Sequence, residues 1–224
     1  MLPFIVFDVN ETLLDLTSLD PLFEEHFGST MYRQAWFDQV LKTAFVSTIT
    51  GPYSDFGVVA RGALQMIATR AGIQLRQQAS DKILGQMRQL TPHPDVHPAI
   101  NLLKDAGFQM AALTNSPPAV AQAQLDNAGI SQYLQAVMSV DDSNSLKPAK
   151  IVYDDATLKL GIQPENTCLI AAHAWDIAGA MRANWMGAFV ERAGKVWNPL
   201  FESPTFTGKT VLEIANQLVA KFGN

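Results

Sequence analysis

Phe4-Ile5-Val6-Phe7-Asp8-Val9-Asn10-Glu11-Thr12-Leu13 reads as a buried strand that stops at a carboxylate. Four apolar residues in a row, without alternation, fit a strand covered on both faces of a parallel sheet. Ligands of open α/β sheets gather at the carboxyl ends of strands, so an acid at Asp8 is better placed for chemistry than one on a helix face. Asp8 is therefore the candidate nucleophile. Taken alone, it reads equally well as the cap of the following segment.

Working outward, the pattern turns helical after Thr12 and stays so from about Leu16 to Leu90, broken at Pro21, Gly28 and Gly51-Pro52. From Pro92-His93-Pro94-Asp95 onward, helices and strands alternate. The spacing predicts helices over 96–106, 119–127, 151–160 and 174–183, strands near 108–113, 134–140, 167–172 and 187–190, and a terminal helix over 211–222. Such alternation implies an α/β fold with a doubly wound parallel sheet. Residues 1–14 and 94–224 are expected to form that core, with 15–93 inserted as a helical cap over the strand ends and the active site between them.

Three more strand ends carry polar groups. Leu113-Thr114-Asn115-Ser116-Pro117-Pro118 offers a hydroxyl, an amide and the N–H groups of a helix start, which suit an anion. Thr114 and Asn115 are the functional candidates, and Ser116 reads as an N-cap. Lys147, in Ser145-Leu146-Lys147-Pro148, has a fitting role if it lies beside Asp8, because a neighbouring cation keeps an attacking carboxylate ionised. His173 and Asp176, three residues apart at a strand-to-helix turn, can face one point. Each also has a bland reading, as a satisfied core histidine and as a first-turn acid favoured by the helix dipole.

Composition narrows the classes. The 224 residues are 48% hydrophobic and 17% charged, enough for a core with an insertion. A net charge of −5 without long charged runs argues against a nucleic-acid surface. The one cysteine, Cys168, lies in an apolar run and reads as a buried, inert thiol. No stretch approaches the roughly 20 apolar residues of a membrane span, and the N-terminal run is too short for a signal-peptide core. No membrane association and a cytoplasmic location are expected.

The motifs also stand together: Asp-x-x-x-Thr-Leu at Asp8 to Leu13, Leu146-Lys147-Pro148 with Val152-Tyr153, Ala174-Trp175-Asp176, Pro94-Asp95-Val96, and Tyr53-Ser54-Asp55-Phe56. In this combination and order the chain resembles the haloacid dehalogenase superfamily over nearly its whole length, and most of all the type II L-2-haloacid dehalogenases. The resemblance implies attack of Asp8 on the Cα of a short 2-haloacid, expulsion of halide with inversion, and hydrolysis of the Asp8 ester to a 2-hydroxy acid. It implies that Lys147 holds Asp8 ionised and Thr12 orients it. Thr114 and Asn115 would fix carboxylate or halide, and Tyr153 matches an active-site tyrosine. Trp36 and Trp175 would wall an apolar pocket, and Asp176 is the expected positioner of water, with backbone N–H groups after Asp8 as oxyanion donors. A homodimer and a site without metal or cofactor are also implied.

Three positions bear on the chemistry. Phosphatases of the superfamily carry a second aspartate where this chain has Asn10, and an amide cannot act as their general acid-base. Asn10 is counted instead among the substrate contacts, and Mg²⁺ is expected only if the protein is nonetheless a phosphatase. Phe37 falls where the family places its halide- and carboxylate-binding arginine, with Arg33 one turn away as the alternative cation. Ala171-Ala172-His173 replaces the family's Ser-Ser-Asn, so His173 is expected either to activate water or, protonated, to bind halide. The readings that compete with haloacid hydrolysis are displacement of a strained ring amine through the same Asp8 ester, a phosphatase, and a binding relative without activity.

Overall fold

The computed structural model describes residues 1–223. Strand β1 (Phe4–Phe7) is buried along its length and leads into a tight turn at residues 8–13. Strand β2 (Leu14–Asp15) then opens a run of four helices, α1 (Asp20–Phe27), α2 (Met31–Thr50), α3 (Phe56–Arg70) and α4 (Gln77–Gln86). Asp55 starts α3 by accepting from the N–H groups of Gly57 at 2.9 Å and Val58 at 3.1 Å, which satisfies two of the donors that a helix start leaves free.

The chain returns through β3 (Thr91–Pro92), which pairs antiparallel with β2, Leu14 opposite Pro92 and Asp15 opposite Thr91. The His93 N–H also donates to the Leu13 carbonyl at 2.9 Å. Both connections between the helical insertion and the rest are thus tied to one another by a short ladder.

Beyond it come α5 (Val96–Asp105), β4 (Met110–Thr114), α6 (Pro118–Asn127), β5 (Ala136–Ser139), α7 (Lys150–Leu160), β6 (Thr167–Ala171), α8 (Ala174–Arg182), β7 (Met186–Val190), β8 (Phe206–Gly208) and α9 (Val211–Phe222). The sheet is parallel throughout, in the order β5-β4-β1-β6-β7-β8. This is the expected α/β sheet with a helical cap. Register sets the site: Phe7 lies level with Ala112 of β4 and Ile170 of β6, so Asp8, Thr114 and the residues after Ala171 emerge side by side at one edge.

Two details differ from the sequence reading. Strands β2, β3 and β8 lie outside the expected set; two residues each in β2 and β3, and three in β8 of which only Phe206 and Gly208 are buried, give too short an alternation to register. Ser116 does not cap α6, which has Pro117 at its N-cap and no side-chain cap. Its hydroxyl instead accepts from Asn10 Nδ2 at 3.1 Å. Cys168 is buried in β6 as expected, and burial pushes its thiol up to about 12. Among the described residues no helix is long and apolar enough to cross a membrane.

Candidate active site

Asp8, one residue past β1, is the hub of a buried network. Lys147 Nζ donates to Asp8 Oδ1 at 2.9 Å, and Thr12 Oγ1 donates to Asp8 Oδ2 at 2.7 Å. His173 Nδ1 lies 3.0 Å from that same Oδ2. Burial opposes ionisation of Asp8, but Lys147 and His173 overcome it and hold the carboxyl well below the usual carboxylate range. The arrangement therefore provides an ionised carboxylate in a site almost free of solvent.

Lys147 arrives from the loop before α7 and is 1% exposed. Its ammonium also donates to Asp176 Oδ2 at 2.6 Å and to the Leu113 carbonyl at 2.9 Å, which uses its three protons. Its backbone N–H donates to Asn115 Oδ1 at 2.9 Å, so the residue is held at both ends. Although burial disfavours its charge, Asp176 and Asp8 raise its pKa above the ordinary lysine value. Tyr153 completes the group, donating to Asp176 Oδ1 at 2.6 Å.

The small cavity beside Asp8, about 10 Å³, is lined by Asn10, Phe37, Leu41, Phe56, Thr114, Asn115, Lys147, His173 and Trp175. That is room for about one water. Cap side chains from α2 and α3 thus close directly over core side chains, and the Phe37 and His173 rings lie 6.4 Å apart.

Several expected contacts take other positions. Asp176 is fully buried with both carboxylate oxygens occupied, by Lys147 and Tyr153, and neither it nor Tyr153 lines the cavity. Trp36 stands one layer back, behind Phe37 at 6.0 Å, with its indole N–H donated to the Ala60 carbonyl at 2.9 Å. Arg33 does not replace the missing cap cation: it is paired with Asp20 at 2.5 Å and lines a separate cleft with Asp15, His93 and Arg192. Among the described residues the donors on the Asp8 carboxylate are side chains, and none is a backbone N–H group.

Four residues of the site and its support are not among the sequence candidates. Leu41 follows Phe37 by one helical turn, a spacing that was available to be read, and Phe56 belongs to a quoted motif. Glu11 stands at an unspecified position of the quoted Asp-x-x-x-Thr-Leu motif, and no local pattern marks Lys195. Glu11 Oε2 lies 2.9 Å from His173 Nε2 and accepts from Lys195 Nζ at 2.6 Å. Burial raises the Glu11 pKa, but His173 and Lys195 outweigh it and lower the value overall. For His173, burial opposes the charge, and the hydrogen bonds to Asp8 and Glu11 overcome it, lifting the pKa to about 9.

A hard divalent cation does not suit this donor set. The position between Asp8 and Asp176 is filled by the Lys147 ammonium, and Asn10 is an amide bonded to Ser116 and, at 3.0 Å, to Gln124.

Fold and site define a capped α/β hydrolase organised around an ionised aspartate at the end of a central parallel strand. Residues 3–184 match the family model of the haloacid dehalogenase-like hydrolases, and the chain belongs to that family. Over 217 residues it is 25% identical to an (S)-2-haloacid dehalogenase of Pseudomonas fluorescens, covering 96% of this chain and 95% of the relative. It is 29% identical to an (S)-2-haloacid dehalogenase of Xanthobacter autotrophicus over 86% of this chain and 76% of the relative. The structure of the L-2-haloacid dehalogenase from Xanthobacter autotrophicus with chloropropionic acid covalently bound superposes with a TM-score of 0.91, at 24% identity and 99% coverage of both chains, a likeness of fold.

Proposed function

We propose that the protein hydrolyses the carbon–halogen bond of short 2-haloalkanoic acids to give 2-hydroxy acids, through an ester on Asp8 and without metal or cofactor. The observation that carries this reading is the pairing of an ionised Asp8 with an amide, Asn10, two residues on. Phosphoester cleavage needs an acid at that place to protonate the departing alcohol. Halide departs as a stable anion and needs none. The relatives named (S)-2-haloacid dehalogenase support the same choice of chemistry.

In the first step Asp8 attacks Cα from the face opposite the halogen, inverting the carbon, while Lys147 and Thr12 hold the carboxylate in its attacking orientation. In the second, water adds to the ester carbonyl and the 2-hydroxy acid leaves. Tyr153 and Asp176 act from behind, fixing Lys147. With no cation from the cap, Asn115 Nδ2, which has no protein partner among the described residues, and the Thr114 hydroxyl are the polar groups left to receive the substrate carboxylate or the halide. Phe37, Leu41, Phe56 and Trp175 supply the apolar wall that excludes bulk water.

A cavity with room for about one water admits no haloacid as it stands, so even a substrate of two or three carbons needs the cap to open. Residues 15–93 are read as the moving unit, on the β2–β3 ladder. The chain is further read as a homodimer, supported by Val46 and Ile49, which are 52% and 82% exposed near the end of α2; sedimentation equilibrium tests it.

The deciding experiment incubates the protein with chloroacetate or L-2-chloropropionate in water enriched in heavy oxygen, following halide release and the mass of the Asp8 peptide. Heavy oxygen in that peptide over many turnovers, with halide release lost in Asp8→Asn, is the expected result. Absence of both halide and label overturns the proposal.

A further inference from the structure

The two oxygens of Asp8 are not equivalent. Among the described residues Oδ1 has one partner, Lys147 Nζ at 2.9 Å, whereas Oδ2 has two, Thr12 Oγ1 at 2.7 Å and His173 Nδ1 at 3.0 Å. Each carboxylate oxygen offers about two lone-pair sites. Those of Oδ2 are committed, and one on Oδ1 remains to attack carbon. The attacking oxygen becomes the bridging oxygen of the ester, which leaves Oδ2 as its carbonyl oxygen. Negative charge grows on that atom when water adds.

Two donors already sit on Oδ2 within the roughly 2.7–3.1 Å that an oxyanion hole uses. The Thr12 hydroxyl is fixed in direction, because its oxygen accepts from the Ala172 N–H at 2.8 Å and its own proton is left for Asp8. The His173 ring lies between two carboxylates, Asp8 on Nδ1 and Glu11 on Nε2 at 2.9 Å. A neutral imidazole would turn a lone pair toward one of them, so the ring donates on both sides only as an imidazolium. Burial and the neighbouring Asp8 raise the Asp176 pKa, but both of its oxygens accept, from Lys147 and Tyr153, as an ionised carboxylate does. Charge balance then agrees: Asp8, Glu11 and Asp176 are matched by Lys147, Lys195 and a protonated His173. A buried cluster with a net charge would be costly.

The local backbone adds independent support. Glu11 has φ 62°, a left-handed conformation that is unfavourable for a residue with a Cβ. Such strain persists where surrounding contacts over-determine it, and here the Glu11 carboxylate is held by both His173 and Lys195. The other faces of the ring are apolar, Trp175 at 5.1 Å and Phe37 at 6.4 Å between ring centroids, and keep water from screening the charge.

We propose that His173, held as an imidazolium by Glu11, forms with Thr12 the oxyanion donor pair for hydrolysis of the Asp8 ester. Glu11 is then a positioning residue. The inference rests on the aspartyl-ester reading above. Water adds to Asp8 Cγ, and the carbonyl π pair moves to Oδ2, held by the two donors. The pair returns as the Cγ–Oδ1 bond breaks, and its electrons leave with the hydroxy acid oxygen. That oxygen takes a proton from Lys147, which is refilled by the proton lost from the added water. The remaining proton of the regenerated carboxylic acid passes to solvent as Asp8 ionises. His173 keeps its protons throughout.

The test is a single-turnover experiment with chloroacetate on the whole protein, following halide by rapid quench and the Asp8 ester by intact mass, in wild type, His173→Leu and Glu11→Gln. The groups facing His173 are Asp8 and Glu11, with Lys147 and Lys195 beyond them. In His173→Leu, halide should appear in a burst while the ester persists on the order of 10² longer, the usual cost of losing one oxyanion donor. In wild type, ester hydrolysis should slow on the alkaline side as the ring loses its proton, and Glu11→Gln should move that limb to lower pH. If His173→Leu does not fold, the displaced limb of Glu11→Gln decides the matter.

A wild-type rate that rises through that limb, or an unmoved limb in Glu11→Gln, overturns the proposal, the first because the ring would then be a base. Wild-type turnover with an unchanged ester lifetime in His173→Leu overturns it alone. No halide from wild type removes the parent reading and this one together.

Discussion

Lys147 Nζ stands 2.6 Å from Asp176 Oδ2, and the two side chains are 1% and 0% exposed. A pair so completely removed from water is strongly destabilising to break from one side, because the charge left behind has no solvent. Lys147→Met should therefore lose about 3–5 kcal/mol in urea unfolding at neutral pH. It should also stop halide release, since Asp8 and Asp176 would share the site without a cation and one would take up a proton. A variant with wild-type urea midpoint and turnover would show that the ammonium holds neither.

The approach of α8 to α7 depends on Gly179. A Cβ at this position would stand 2.6 Å from the Tyr153 hydroxyl and 2.7 Å from Pro148 Cβ, distances at which something must move. Tyr153 is the donor to Asp176 Oδ1, so a displacement there is passed along Asp176 to Lys147. Gly179→Ala is expected to cost about 1–3 kcal/mol, as overpacking of a well-filled core does, and to lower turnover more than it raises KM. Unchanged stability would mean that the two helices can separate freely.

The fold was legible because it depends on patterns that local sequence carries. Phe4 to Phe7 has no polar residue, helices and strands alternate after Pro94, and polar groups end four of the strands. Asp8, Thr12, Lys147, His173 and Asp176 do meet in one network, and Asn10, Phe37, Thr114, Asn115 and Trp175 do line one cavity. Depth was not legible. Asp176 and Trp36 lie one layer behind the cavity, and one-dimensional spacing cannot separate a residue facing a cavity from one supporting it. Glu11 and Lys195 meet across 184 positions through a left-handed backbone at Glu11, which no local pattern announces. The role of Arg33 was decided by Asp20, a closer partner than any substrate.

Stability should fall on both sides of neutrality, for different residues. His173 is raised from 6.5 to about 9, so its contribution is complete below about 6.5 and is lost as pH rises through 9. Asp8 is lowered, so its contribution is complete above the ordinary aspartate value and is lost as pH falls well below it. The alkaline loss assigned to His173 is on the order of 3 kcal/mol. Chemical denaturation from pH 6 to 10 should show this fall in wild type and a flatter curve in His173→Leu. Equal slopes would place the alkaline loss on another group.

The strain at Glu11 can be separated from its charge by two substitutions that both delete the carboxylate. Glu11→Ala keeps a Cβ at φ 62° and loses the bonds to His173 and Lys195. Glu11→Gly loses the same bonds and relieves the backbone, since glycine occupies the left-handed region without steric penalty. Glu11→Gly should therefore be the more stable of the two by about 1 kcal/mol, the order of the left-handed penalty for a residue with a Cβ. Both should lower the His173 pKa, because each removes one of the two carboxylates that hold its protons, and histidine ring resonances followed by NMR titration would read this. A glycine variant no more stable than the alanine variant would show that the turn after β1 carries no strain, and the lock on His173 would then rest on hydrogen bonding alone.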